Sequence, residues 1–424
     1  MESLRSVWKI KELRNKILFT VAVLFVFRLG CSLPVPFISP NALEMLFGTG
    51  TLMFLNMVSG SALARCTLFA LGVSPFINAS IVIQLMTVVI PSWEQMQKED
   101  DGKKKLERYT RYCALFFACI MAVGYVALLK GYGAFQYTSG AAFWFAAVVA
   151  VFCFAGGSMA TVWLGERIDE YGIGNGVSML ILAGIISRWS NLTNVVLTIT
   201  TNVQAGKWWY ILFGLLAVIF LIAAVVYVVY ISNAEQKVPI QYAGKSGRRG
   251  GASYVPLKLI MSGVMPVIFA SSILSLPATI AAFVNETAHP KLYAALSLFS
   301  HTSVLYIALL VALIFFFNFF YISIQFNSVE MANRLRKNGG VIPGFRPGTP
   351  TVEYLDRAIK KLALSGAASL AIVAAFPSLL SMAVNLPMQF GGTSLLIIVG
   401  VATETVRSID SYRTVRHHRG FLSA

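Results

Sequence analysis

The chain has 424 residues, of which 57% are apolar and only 12% charged, and its mean hydropathy is +0.72. Ordinary soluble domains carry about 25% charged residues, and no water-soluble fold of this size could hide so much apolar surface, so a cytosolic enzyme is excluded. The formal charge of +16 would point a soluble protein toward nucleic acid, but here its placement along the chain matters more than its sum.

Taken in order, residues 1–16 carry five Lys/Arg, and Leu4, Val7, Trp8 and Lys11 share one helical face. This reads as a short interfacial amphipathic helix rather than a secretory signal, because no small-residue cleavage site follows the first apolar run. Ten apolar runs then follow, at about 17–34, 68–90, 110–129, 142–164, 174–195, 208–231, 259–284, 303–325, 362–384 and 391–407. Each approaches the length a helix needs to cross a bilayer. A membrane β-barrel would instead alternate apolar and polar residues. The expected fold is therefore an all-α polytopic membrane protein with ten transmembrane helices. Its five cysteines, Cys31, Cys66, Cys113, Cys119 and Cys153, have no disulfide or zinc spacing and read as packing residues.

An even number of spans puts both termini on one side. The N-terminus, the loops at 91–111, 165–173, 232–258 and 326–361, and the tail after the tenth span carry 28 Lys/Arg, against five on the other side. The basic side is cytoplasmic. Several spans hold polar groups that lipid would not tolerate: Ser74, Pro75, Asn78, Ser80 and Gln84 in the second, Pro266, Ser271, Ser272 and Pro277 in the seventh, Gly391 to Ser394 opening the tenth. Spans 2, 5, 7 and 10 are candidates to line a path. Residues 48–67 are too polar and too short to span, and fit either a re-entrant segment or an external loop with a short surface helix. The loops at 232–258 and 326–361 are far longer than a helix connection requires and carry basic tips, GKSGRRGG and IPGFRPG. Such tips are contacts for protein, RNA or acidic lipid.

No P-loop is present, GIGNG at 172–176 follows no strand, the four His lie outside the spans, and no carboxylate sits deep in one. No catalytic group, cofactor or metal site is expected.

Motifs along nearly the whole chain then carry a family resemblance: FALGVSPFI at 69–77 with ASIVIQL at 79–85, RYTRY at 108–112, WLGERIDEYGIGNGVS at 163–178, PLKLIMSGVMPVIFASSIL at 256–274, IPGFRPG at 342–348 and FGGTSLLI at 390–397. In this order and spacing the chain resembles the SecY/Sec61-alpha family of protein translocon channels. The resemblance implies two pseudo-symmetric inverted five-helix halves, 17–195 and 208–407, around a central pore, with a cytoplasmic tail at 408–424. It implies a mid-membrane ring of Val73, Ile77, Val177, Ile181, Ile268 and Ile397, where apolar side chains dewet a narrow path. It assigns about 51–65 to a re-entrant plug, with Leu52, Phe54, Met57, Val58 and Leu63 as its core and Gly60 allowing close approach. Spans 2–3 and 7–8 would form a lateral gate with Gln84 and Ser262 as polar positions, and Ile260 stands where relatives often carry Asn. Arg248, Arg249 and Arg346 would dock the SecA motor ATPase or ribosomal RNA. SecE and SecG are the implied small membrane subunits, with signal sequences and unfolded polypeptides as cargo and lipid as the exit. The implied function is a gated, protein-conducting channel of the bacterial plasma (inner) membrane, driven by its partners and not an enzyme. The competing reading is an ion-coupled small-solute secondary transporter with inverted repeats.

Overall fold

The computed structural model describes residues 10–39, 59, 61–137, 139–187, 209–242, 253–283, 303–384 and 392–420, with single positions 200, 291 and 296 between them. Among these residues the helices are α1 Lys11–Gly30, α2 Ser74–Val89, α3 Pro91–Lys98, α4 Asp100–Gly131, α5 Ala141–Tyr171, α6 Gly176–Ser187, α7 Trp209–Asn233, α8 Met265–Phe283, α9 Val304–Gln325, α10 Ser328–Lys337, α11 Thr349–Val384 and α12 Gly392–Gly420. Every one of the ten expected spans falls on a helix. Among the described residues, five helices are individually long and apolar enough to cross a membrane, and α2 with α3 forms a sixth candidate bent by 107°. The bend lies at Ile90, where Pro91 starts a new helix and cannot donate back to the old one. Helix α4 begins ten residues before the expected third span, because its charged first turns extend into water. There Arg111 donates to Glu166 at 2.6 Å, tying α4 to α5.

Two compact units divide the chain: Met1–Lys207 with Ser271–Tyr306 and Val401–Ala424, and Trp208–Ala270 with Ile307–Gly400. They follow packing rather than chain order.

The first unit is built by close approach of small residues. Ala114, Ala118, Ala122, Tyr125 and Leu129 repeat at helical spacing on α4, and all are buried. On α5, Ala146, Ala147, Ala150, Phe154 and Gly157 form the matching buried stripe. Lipid gives no hydrophobic drive for helix association, so such stripes, which let backbones meet, supply the packing. The opposite faces stay apolar and open: Phe116 is 63% exposed and Phe152 73%, as a lipid-facing surface demands.

The second unit holds parts of the two long basic loops, which fold together. Strand β1 Glu235–Tyr242 pairs antiparallel with β2 Ser253–Lys258 and with β3 Gly340–Val341, in the order β2-β1-β3. The all-α expectation therefore gains a small sheet built from the loops. Val238, Leu257, Ala332, Ile342, Leu355 and Leu362 are its buried core, which accounts for the loop lengths. Helix α10 starts at an Asn327 cap whose side chain accepts from Val329 N and Glu330 N at 3.1 and 3.2 Å. Asn327→Ala is expected to cost about 1 kcal/mol, seen as faster hydrogen exchange confined to α10 and β3.

Candidate functional site

The six ring positions lie at helix starts. Val73 caps α2 and Ile77 is its fourth residue. Val177 and Ile181 are the second and sixth residues of α6, Ile268 the fourth of α8, and Ile397 the sixth of α12. Both i, i+4 pairs stack one turn apart on a single helix face. Val73, Ile77, Ile181, Ile268 and Ile397 are buried, with Ile397 at 0% and Ile181 at 1% exposure, and Val177 is half-buried.

Two of these starts share a six-residue signal that the motif reading passed over. Gly72-Val-Ser-Pro-Phe-Ile77 and Gly263-Val-Met-Pro-Val-Ile268 have the same pattern, G-V-x-P-x-I. In both the glycine is left-handed, at φ +53° and +62°, a conformation that favours glycine. In both the proline is the second helical residue, where its missing N–H costs nothing. In both the isoleucine donates to the valine carbonyl, at 3.1 Å from Ile77 and 3.2 Å from Ile268. Both helices therefore start later than the apolar runs suggested: 68–73 and 259–264 are non-helical. The signal also finds Val264, the counterpart of Val73, which is buried and against which a Cβ on Gly400 would press.

The α5–α6 corner carries the GERIDEYGIGNG motif. Asp169 Oδ1 accepts from Gly176 N at 2.7 Å, and Asn175 Oδ1 accepts from Ser178 N at 3.0 Å. These satisfy two of the N–H groups that a helix start leaves orphaned. A Cβ on Gly176 would lie 1.9 Å from the Gly165 carbonyl oxygen, so only glycine lets α6 reach α5 here.

Of the expected plug residues, Leu52, Phe54, Met57, Val58 and Gly60 lie outside the described residues. Leu63 is described and sits in an apolar cluster of the first unit, with Val35, Cys66, Leu71, Leu129 and Phe154. Its carbonyl accepts from the Tyr125 hydroxyl. Arg248 and Arg249 also lie outside the described residues. Arg346 is exposed, on a turn pinned by Thr351 Oγ1 donating to its carbonyl at 2.8 Å and by Phe345 against Tyr354, 4.4 Å between rings.

At the expected gate positions, Gln84 is half-buried on α2. Ser262 is buried, and its hydroxyl is used inside the second unit: it donates to Asn318 Oδ1 at 2.6 Å, while Asn318 Nδ2 donates to the Ala363 carbonyl at 2.8 Å. The network joins the segment before α8 to α9 and α11. Sequence reading missed Asn318, although a lone amide in the run IFFFNFFY was its signal. Asn318→Leu is expected to lower stability by about 0.6 to 1.7 kcal/mol, the range of such bonds in membranes, read as a drop in thermal midpoint in detergent. Among the described residues, no three His, Cys, Asp or Glu side chains gather as a metal would require.

Comparison with known proteins places the chain in a family. The family model for SecY matches residues 67–406. The protein translocase subunit SecY of Aquifex aeolicus is 38% identical over 439 residues, covering 99% of both chains. Among solved structures, one concerning the SecY plug domain, which stabilises the closed translocation channel and maintains a membrane seal, superposes with TM-score 0.67 at 18% identity over 94% of this chain and 92% of that one. Sec61 in the canine ribosome–channel complex gives TM-score 0.63 at 18% identity over the same shares.

Proposed function

This chain belongs to the SecY family, and from that premise we propose how its own residues seal, open and dock the channel. The family is one of protein-conducting channels in the membrane, and the chain is a multi-pass membrane protein. The small-solute transporter reading is set aside by that membership.

Val73, Ile77, Val177, Ile181, Ile268 and Ile397 are the gasket. Their branched apolar side chains offer water and ions no hydrogen bond, so a narrow ring of them empties. The same chemistry lets any polypeptide pass, since dispersion contacts do not discriminate sequence. The observation that carries this reading is the shared G-V-x-P-x-I start of α2 and α8, the second and seventh spans. Those are equivalent spans if residues 17–195 and 208–407 are repeated halves. The plug is the stretch of about 51–65, with Leu52, Phe54, Met57, Val58 and Leu63 as its core and Gly60 allowing close approach; within it we take residues 51–58 as the stopper, because Leu63 is packed into the apolar cluster of the first unit. Gln84 faces the lateral gate, whereas Ser262 serves it through Asn318 by holding spans 7, 8 and 9 together.

The folded cytoplasmic sheet is the docking platform. It presents Arg346 on a fixed turn and carries the tip with Arg248 and Arg249. Guanidinium groups there fit carboxylates of a motor ATPase such as SecA and phosphates of ribosomal RNA alike. The energy for transport comes from these partners. SecE and SecG fit the apolar outer faces. The SecY relatives support a bacterial plasma membrane location, and the 28 to five division of basic residues supports both termini being cytoplasmic.

The test is ion conductance in planar bilayers. The full chain is expected to be quiet and a chain lacking residues 51–58 to leak strongly. Silence from a folded, inserted deletion chain would remove the plug assignment.

A further inference from the structure

We propose that Tyr125, Ser158 and Thr161 are positioning residues of the seal: their hydroxyls hold residues 61–73 as a fixed collar between plug and ring. This rests on the plug-and-ring reading above.

The collar is short and irregular. It has left-handed backbone at Ser61, Cys66 and Gly72 and is a series of turns, closed by bonds such as Cys66 N to Leu63 O at 3.2 Å and Gly72 N to Phe69 O at 2.9 Å, so its surroundings fix how the turns lie. Three of those surroundings are visible. On the plug side, Tyr125 from the middle of α4 donates to the Leu63 carbonyl. Its single proton being used there, the Cys66 thiol, 3.2 Å from the same oxygen, is the donor in that second contact. The Tyr125 ring is itself held edge-on by Phe154 at 4.9 Å. Ser59 Oγ accepts from Leu63 N at 3.3 Å, closing the turn where the described part of the segment begins. On the ring side, the Gly72 carbonyl, one residue before Val73, faces two hydroxyls of α5: Ser158 Oγ at 2.9 Å and Thr161 Oγ1 at 2.9 Å. Both side chains are essentially unexposed, at 1% and 0%. Thr161 also lies 2.7 Å from the Ser158 carbonyl, so Ser158 is the steadier donor. Between the two ends, Leu68 N donates to Leu33 O at 2.9 Å and Val35 N to Cys66 O at 3.0 Å. A Cβ on Gly157 would lie 1.9 Å from Leu68 O, so α5 presses directly on the collar backbone.

Ser59 apart, each of these partners belongs to α4, α5 or the segment after α1. The collar is therefore fixed to the body of the first unit at both ends. Held this way, Val73 and Ile77 keep their register independently of the segment before Ser61. That separation lets a channel admit a polypeptide without losing the gasket that grips it. Gly72's carbonyl matters most, because a glycine turn with an unpaired carbonyl is free to rotate the first turn of α2 and the two ring side chains with it.

The experiment is resting conductance of the full chain in planar bilayers. Ser158→Ala with Thr161→Val removes both hydroxyls at nearly constant volume, and should raise the resting leak about tenfold, a barrier change of about 1.4 kcal/mol. Tyr125→Phe removes one oxygen and should raise it about threefold. Ser158→Thr with Thr161→Ser keeps both hydroxyls and should remain quiet, which a purely packing role would not predict, since it too alters shape. If both hydroxyl-deleted chains are folded and as quiet as the parent, while the 51–58 deletion leaks, the collar is not a positioning device. If that deletion is itself silent, the plug reading has failed, and the inference with it. Should the double variant not accumulate, Tyr125→Phe decides by the same criterion.

Discussion

A Gly176→Ala chain is expected to accumulate poorly and to melt at a much lower temperature in detergent than the parent, while Gly165→Ala, at the same helix crossing, is expected to be neutral or stabilising. At Gly176 the added Cβ would sit 1.9 Å from Gly165 O and 2.7 Å from the Gly165 carbonyl carbon. These are backbone atoms of a helix and cannot rotate aside. Relief requires α6 to withdraw from α5, which stretches the 2.7 Å bond from Gly176 N to Asp169. Overpacking of this kind costs about 1–3 kcal/mol, more where backbone must move. At Gly165 the added Cβ meets Leu180 Cδ1 at 3.4 Å and Val177 Cγ2 and N at 3.5 Å, all ordinary contact distances that need no backbone to move. There alanine also gains up to about 1 kcal/mol of helix propensity over glycine. Thermal unfolding of the two variants side by side is the measurement. Equal midpoints would mean that the crossing is not set by the Gly176 approach. The same withdrawal would displace Val177 and Ile181, so any Gly176→Ala chain that does fold should also leak.

The asymmetry between these two glycines shows what a sequence carries and what it does not. Both stand in the same motif, GERIDEYGIGNG, and nothing in the letters says which one touches backbone. Hydropathy located a helix for each of the ten spans because burial in lipid demands a long apolar run and little else. It placed the starts of α2 and α8 six residues early. Apolar residues such as Leu71 and Val264 continue through a turn as readily as through a helix, and only the left-handed glycine with the following proline marks the break. That mark was readable, and it repeats. The three-stranded sheet was signalled by loop length but not by strand pattern: β1, EQKVPIQY, contains a proline and alternates poorly. Ser262 was found by motif position, yet its partner Asn318 lies 56 residues away, a pairing no local pattern encodes. The collar hydroxyls were invisible for the same reason. Tyr125, Ser158 and Thr161 look like ordinary helix residues until the irregular segment folds back on them.

Replacing Ile397 by asparagine is expected to open a steady ion leak in the full-length chain, whereas Ile397→Leu should stay quiet. Ile397 is wholly buried in the first turns of α12, and Ile181 and Ile268 are nearly so. On the proposed gasket, exclusion of ions depends on the ring being too apolar and too narrow to stay wet. Leucine keeps the volume and the absence of hydrogen-bonding groups. Asparagine brings two donors and an acceptor into a site with no polar partner supplied by the other ring positions, all of them Val or Ile. A buried unsatisfied amide costs about 1–3 kcal/mol, and water entering the ring is the easiest way to satisfy it. If even about 1.4 kcal/mol of that drive goes into wetting, the population of conducting ring states rises tenfold. The leak should persist with residues 51–58 present, only smaller than when they are removed, because stopper and ring act in series. Planar-bilayer conductance of four chains, with and without the Ile397→Asn substitution and with and without the stopper, separates the two. A folded Ile397→Asn chain as silent as the parent in both backgrounds would mean that Ile397 packs α12 without sealing anything. An additive pattern instead of a serial one would mean that the two barriers guard different paths.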